Sequence, residues 1–249
     1  MLKLREISKS YGSKQALSSV SLELTEGIYG LLGPNGAGKS TLMNIITGNL
    51  RPDTGAVMWE EEEIRSLGVK YRSILGYAPQ QQGLYDAFSG RDFLKYMAVL
   101  KGISRKHIRE EVDRVLSYVN LQEAADFAIG TYSGGMKQRI LIAQAVMGNP
   151  GLIILDEPTA GLDPKERVRI REKIKEISRE KIILVSTHVV SDIQSIAKEI
   201  ILLKEGTVID QETVDALCGK YKGADDLEQV YMHIFGEQEG EENASTDSL

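Results

Sequence analysis

Apolar and polar residues alternate at the start of the chain. Leu2 and Leu4, then Val20, Leu22 and Leu24, keep the two-residue period of a half-buried strand, so residues 1–32 read as strands. Tyr11 and Gly12 mark a turn between two such runs, and residues 28–32 form a short apolar strand ending at Gly33. A glycine-rich loop follows, then a helix over 41–46 that stops near Gly48. Residues 52–55 are a turn, and 57–64 read as a hairpin whose tip, Glu60 to Glu63, is solvated.

The period changes over residues 89–128. Phe93, Leu94, Met97 and Leu100 fall at helical spacing, as do Ile108, Val112, Val115, Leu116 and Val119, and Ser104 is placed to cap the second helix. A third helix is predicted after Gly135, to about Met147. The strand-and-helix alternation then returns. Strands are predicted at 152–155, 182–185, 200–203 and 207–209, and helices at 165–180, 189–197 and 225–235. The organisation expected is a main domain over 1–220 with a helical part at about 85–150, a C-terminal helical extension over 221–236, and an acidic disordered tail over 237–249.

Composition narrows the partners. The formal net charge is −6, from 30 basic and 36 acidic residues, and five of those acids lie in the tail from Glu237 onward. The body therefore carries 30 − 31 = −1 and has no clustered basic excess, so no nucleic-acid partner is expected. Cys218 is the single cysteine, which excludes an intrachain disulfide and a cysteine-built zinc site. No window reaches the ~18 continuous apolar residues of a membrane helix, and the first residues lack the apolar core of a secretory leader.

The chemistry concentrates in two places. Residues 33–40 read GPNGAGKS, the G-x-x-x-x-G-K-[ST] pattern, with an apolar strand before it and a helix after. Gly33, Gly36 and Gly38 let the backbone turn its amides toward phosphate oxygens, with Pro34, Asn35, Ala37 and Thr41 completing the run. The helix adds its positive end, Lys39 can reach the outer phosphates, and Ser40 can ligate Mg2+. The second place is LIILDEP, residues 152–158, where a buried strand delivers two acids at its carboxyl end. Asp156 suits the Mg2+ shell, and Glu157 suits a general base acting on water.

Further residues give a family resemblance over about residues 2–215. Ser133, Gly134 and Gly135 in YSGGMKQR resemble the signature motif of ATP-binding-cassette (ABC) ATPases, Gln80 in GYAPQ their Q-loop, Asp163 in AGLDP their D-loop, and His188 in STHVVSD their switch histidine. Tyr11 stands where the family has its adenine-stacking aromatic. Tyr132 and Met136 depart from the usual LSGGQ, and TYSGGM is similar to signatures of drug- and antibiotic-exporting cassettes whose ATPase and membrane parts are separate chains.

The resemblance implies an α/β fold of cassette type. It has a P-loop NTPase core of mixed sheet with flanking helices, an N-terminal antiparallel β subdomain and an α-helical insert. It implies a homodimer in the presence of ATP, or a heterodimer with a related ATPase. In either, Lys39, Ser40 and Tyr11 of one chain and Ser133 and Gly135 of the other hold each ATP. Gln80 would touch Mg2+ and the attacking water, His188 would stabilise the transition state with Glu157, and Asp163 would cross the interface. The expected role is energising transport, with a lean to export, through a separate membrane permease. The chain would then be cytoplasmic and peripheral on the inner face of the cell membrane. The alternative is a soluble or regulatory cassette ATPase acting on the ribosome, nucleic acid or a membrane assembly complex.

Overall fold

A computed structural model describes residues 1–80, 83–221 and 224–246, with side chains as far as Gly236. The chain opens with strands β1 (Leu2–Tyr11), β2 (Lys14–Leu24) and β3 (Gly27–Leu32), then helix α1 (Lys39–Ile46). Strands β4 (Thr54–Trp59) and β5 (Glu62–Glu63) and helices α2 (Ile64–Leu67) and α3 (Val69–Ile74) lead to strand β6 (Leu75–Ala78). The insert holds α4 (Gly90–Leu100), α5 (Arg105–Tyr118) and α6 (Gly134–Val146). Strand β7 (Leu152–Asp156), helix α7 (Pro164–Ile177), strand β8 (Ile182–Ser186) and helix α8 (Val190–Ile193) follow. Strands β9 (Glu199–Lys204) and β10 (Thr207–Glu212) and helices α9 (Val214–Lys220) and α10 (Leu227–Thr246) complete the order.

Two sheets result. The order β2-β1-β4-β5 is antiparallel, as the N-terminal alternation requires of a sheet with one wet face. The order β10-β9-β3-β8-β7-β6 is parallel from β9 to β6, with β10 antiparallel at its edge. Strands buried on both faces read as continuous apolar runs, and side-chain period splits each run between two cores. Ile153, Leu155, Ile183, Val185, Ile200 and Leu202 face the helices of the insert and C-terminus. Leu152, Ile154, Ile182, Leu184, Ile201 and Leu203 face α1 and the antiparallel sheet. Burying each such side chain contributes about 2 kcal/mol. The fold agrees with the expected cassette architecture.

Several expectations need correction. The helix expected at 189–197 spans only Val190–Ile193, and the residues after it form turns in which the Ile196 and Ala197 N–H groups share the Ile193 carbonyl. Ser104 stands at the N-cap of α5 but its hydroxyl makes no capping bond; only its carbonyl is used, by the His107 N–H at 2.8 Å. Strand β6 and helices α2, α3 and α9 are too short to show a period. Helix α10 carries on through Thr246 where a disordered tail was expected, in a stretch rich in Glu and Gln, which are good helix formers despite lacking an apolar stripe. The acidic side chains from Glu237 onward lie outside the described ones, as do residues 222–223 of the extension and 247–249 of the tail. Among the described residues, no helix is long and apolar enough to cross a membrane.

Candidate functional site

The phosphate loop leaves the carboxyl end of β3, in the middle of the six-stranded sheet, and enters α1. Its glycines have different reasons. A side chain on Gly33 would put a Cβ 2.2 Å from the Leu203 carbonyl oxygen, so β9 allows only hydrogen there. Gly38 has φ 108°, and its Cβ would stand 2.5 Å from the Ala16 carbonyl. Gly36, at φ 80°, faces open space. The loop is braced from behind, since the Gly206 N–H donates to the Ala37 carbonyl at 2.9 Å and the Ser18 N–H to the Gly206 carbonyl at 2.8 Å.

Lys39 folds back over this loop. Its Nζ donates to the carbonyls of Gly33 at 2.6 Å and Pro34 at 3.1 Å. Burial pulls its ammonium below the usual lysine range, while Glu157 and Asp156 pull it back up. Those carboxylates make this the natural place for a cation beside an anion.

The carboxylates come from the end of β7. The hydroxyl of Ser186, at the end of neighbouring β8, donates to Asp156 Oδ1. Glu157 turns out of the strand at φ 50°, a left-handed conformation that costs a non-glycine residue about 1 kcal/mol. Its backbone N–H offsets that cost by donating to Ser186, at 3.1 Å to the carbonyl and 3.2 Å to Oγ. The turn leaves the Glu157 carboxylate buried beside the loop. Oε1 meets His188 Nδ1 at 3.0 Å, and Oε2 has no hydrogen-bond partner. Orphaned buried oxygens are rare, and one here fits a group built to receive a proton.

These pieces enclose one cavity of about 260 Å3, lined by Tyr11, Pro34, Asn35, Gly36, Gly38, Lys39, Ser40, Thr41, Gln80, Asp156 and Glu157. Gln80 reaches it because it follows β6, which pairs with β7. Tyr11 is half exposed at the rim, with Lys9 Nζ 5.9 Å from its ring centroid. Gly33 and Ala37 do not line the cavity; they shape the loop from beneath. His188 reaches it only through Glu157. Sequence reasoning missed Lys14 and Ala16 on the cavity wall and Ser186 behind Asp156. Ser186 had a signal, as the first residue of STHVVSD after an apolar strand, whereas Lys14 and Ala16 carried none beyond the Tyr11 turn.

The donor set fits Mg2+. The Ser40 hydroxyl, the Gln80 amide and the Asp156 carboxylate are hard oxygen donors around one cavity, too few for an all-protein cage and suited to an ion that keeps waters and phosphate oxygens.

The signature residues lie elsewhere. Ser133 caps α6, its Oγ accepting from the Met136 N–H at 3.2 Å, and Ser133 and Gly134 are exposed. Gly135 is half-buried against Glu166 of α7. Asp163 caps α7, accepting from the Lys165 and Glu166 N–H groups at 3.0 Å each. None of the four touches the cavity of its own chain.

The comparisons agree with this geometry. The family described as ABC transporter matches residues 17–160. The uncharacterized ABC transporter ATP-binding protein YxlF of Bacillus subtilis (strain 168) is 36% identical over 84% of this chain and 69% of its own length. The linearmycin resistance ATP-binding protein LnrL of the same organism is 34% identical, over 90% of this chain and 72% of its own. Among solved structures, the dimeric ATP-binding cassette MJ0796 in a post-hydrolysis state, bound to ADP and Pi, superposes with a TM-score of 0.78 at 29% identity, over 86% of this chain and 98% of that one. This chain belongs to the ABC transporter family, as one of its ATP-binding subunits.

Proposed function

We propose that the chain hydrolyses ATP to drive export through a separate membrane permease. The observation that carries the hydrolysis is Glu157, with one oxygen held by His188 and the other buried and unpaired at the phosphate cavity. Glu157 would take the proton of the attacking water, with His188 fixing its orientation. Lys39 and the loop amides would bind the phosphates, and Tyr11 would stack on the base. Ser40, Gln80 and Asp156 would hold Mg2+, which when bound neutralises phosphate charge.

The exposed Ser133 and Gly134 and the half-buried Gly135 do not reach their own chain's cavity, which supports a second copy whose nucleotide they complete. Asp163 lies on the helix that packs beside them. A related ATPase in the partner's place would use the same surfaces. The dimeric cassette relative supports this reading.

The permease site we favour is a cavity of about 550 Å3 between the core and the insert, lined among others by Val69, Tyr77, Met97, Leu100 and Gln144. Three exposed aromatics also cluster at the start of the insert, with the Tyr85 ring 5.2 Å from Phe88 and 6.2 Å from Tyr96. Exposed apolar surface of this kind marks a protein contact. LnrL is named for linearmycin resistance, a role that export of a toxic compound would serve, and a permease would hold the chain on the cytoplasmic face of the membrane. The test is to purify the tagged Glu157→Gln chain from gently solubilised membranes with ATP. A multi-span membrane protein in near-equal amount is the expected companion; ribosomes or a soluble complex without one would contradict the reading.

A further inference from the structure

One of the two residues that depart from the usual signature also fills a gap elsewhere. Tyr132 is buried, and its hydroxyl donates to the Ala124 carbonyl at 2.7 Å. The ring comes to rest against Gly90, the first residue of α4. A Cβ on Gly90 would stand 2.3 Å from Tyr132 Oη and 3.2 Å from Cζ, whereas its next neighbour, the Ala125 carbonyl, is 3.4 Å away. Gly90 has no positive φ to explain it. Its missing side chain makes room for the tyrosine.

The backbone around this contact joins two segments. The Ile129 N–H donates to the Phe88 carbonyl at 2.8 Å, the Gly130 N–H to Asp86 at 3.0 Å, and the Arg91 N–H to Ala125 at 2.8 Å. Ser89 and Ala128 form an antiparallel bridge. Asp86 also pairs with Lys137 of α6 at 3.3 Å. The chain that leads from Asp86 into α4 and the chain that leads into Ser133 are thus one ladder, with Tyr132 as its last rung before the signature.

We propose that Tyr132 and Gly90 are a matched pair of positioning residues that set Ser133 and the N-terminus of α6 for the partner's nucleotide. The inference rests on the reading of Ser133 given above. A buried ring packed against Gly90 leaves the next residue little freedom, so the pair acts on phosphate contacts without touching ATP.

The test is an exchange of volume. Gly90→Ala should lower kcat about tenfold while KM and the monomer's affinity for a fluorescent ATP analogue stay within about twofold, since only the composite site is misplaced. Adding Tyr132→Leu to Gly90→Ala should restore kcat to within about threefold of wild type, because the clash is gone. Tyr132→Phe alone keeps the ring and should retain most activity. The proposal is overturned if Gly90→Ala is fully active, or if the double variant is no better than Gly90→Ala. It is also overturned if Gly90→Ala loses nucleotide affinity and thermal stability in step with activity, which marks a packing role alone. An inactive wild type, with no ATP-induced dimer of Glu157→Gln, would instead bring down the underlying reading together with this role.

Discussion

His188 Nδ1 lies 3.0 Å from Glu157 Oε1, and this is the only hydrogen bond given to the Glu157 carboxylate among the described residues. The imidazole therefore aims the acid. His188→Ala should reduce ATP hydrolysis about 100-fold with ATP binding nearly unchanged, because orientation and not phosphate contact is removed. Steady-state hydrolysis set beside nucleotide affinity checks this; equal loss of both would place His188 in binding.

The two kinds of loop glycine should separate in stability. Gly33→Ala drives a Cβ to 2.2 Å from the Leu203 backbone oxygen, which cannot step aside, so thermal unfolding without nucleotide should fall steeply. Gly36→Ala meets nothing within 4 Å and bears only the cost of φ 80°, about 1 kcal/mol. Equal melting temperatures for the two variants would contradict this account of the loop.

Asp192 joins α7 to α8, the short helix after His188. It accepts from Arg167 at 2.7 and 2.9 Å and from Arg171 at 3.3 Å, and it is buried while both arginines are partly exposed. Removing the carboxylate strands those guanidinium groups, so Asp192→Ala should cost about 2 kcal/mol. Urea denaturation measures it, and an unchanged midpoint would show the network to be idle.

Lys101 gives a pH signature. Burial pulls it down to about 8 from the ordinary 10.5, with Glu111 opposing the fall and Arg114 adding to it, while Nζ donates to the Met147 carbonyl at 2.8 Å. Between those two values the unfolded chain holds more protons than the folded one, so this group's contribution to stability rises with pH across that window and is unfavourable below it. Wild type should therefore gain stability relative to Lys101→Met as pH rises from about 8 toward 10.5. A flat difference in denaturation midpoint would contradict the shift.

Much of this is legible in the sequence itself. The loop GPNGAGKS and the acids Asp156 and Glu157 announce themselves, because phosphate chemistry needs fixed spacing on a strand-loop-helix frame. The long strands and the insert's helices show their period. Less legible was what depends on distant chain segments. That Gly33 sits under Leu203, that Lys14 walls the cavity and that Gly90 yields space to Tyr132 are facts of packing across long sequence separations. The short β6, α2, α3 and α9 lack a period to read, and α10 outruns its apolar stripe because helix propensity continues it.

The central claim is that Glu157 is the base of an ATPase. The direct measurement is phosphate release by purified wild-type and Glu157→Gln chains, alongside their oligomeric state with ATP. The account predicts that Glu157→Gln binds ATP, forms a stable dimer and hydrolyses at least about 100-fold more slowly. Hydrolysis by Glu157→Gln at the wild-type rate would contradict it.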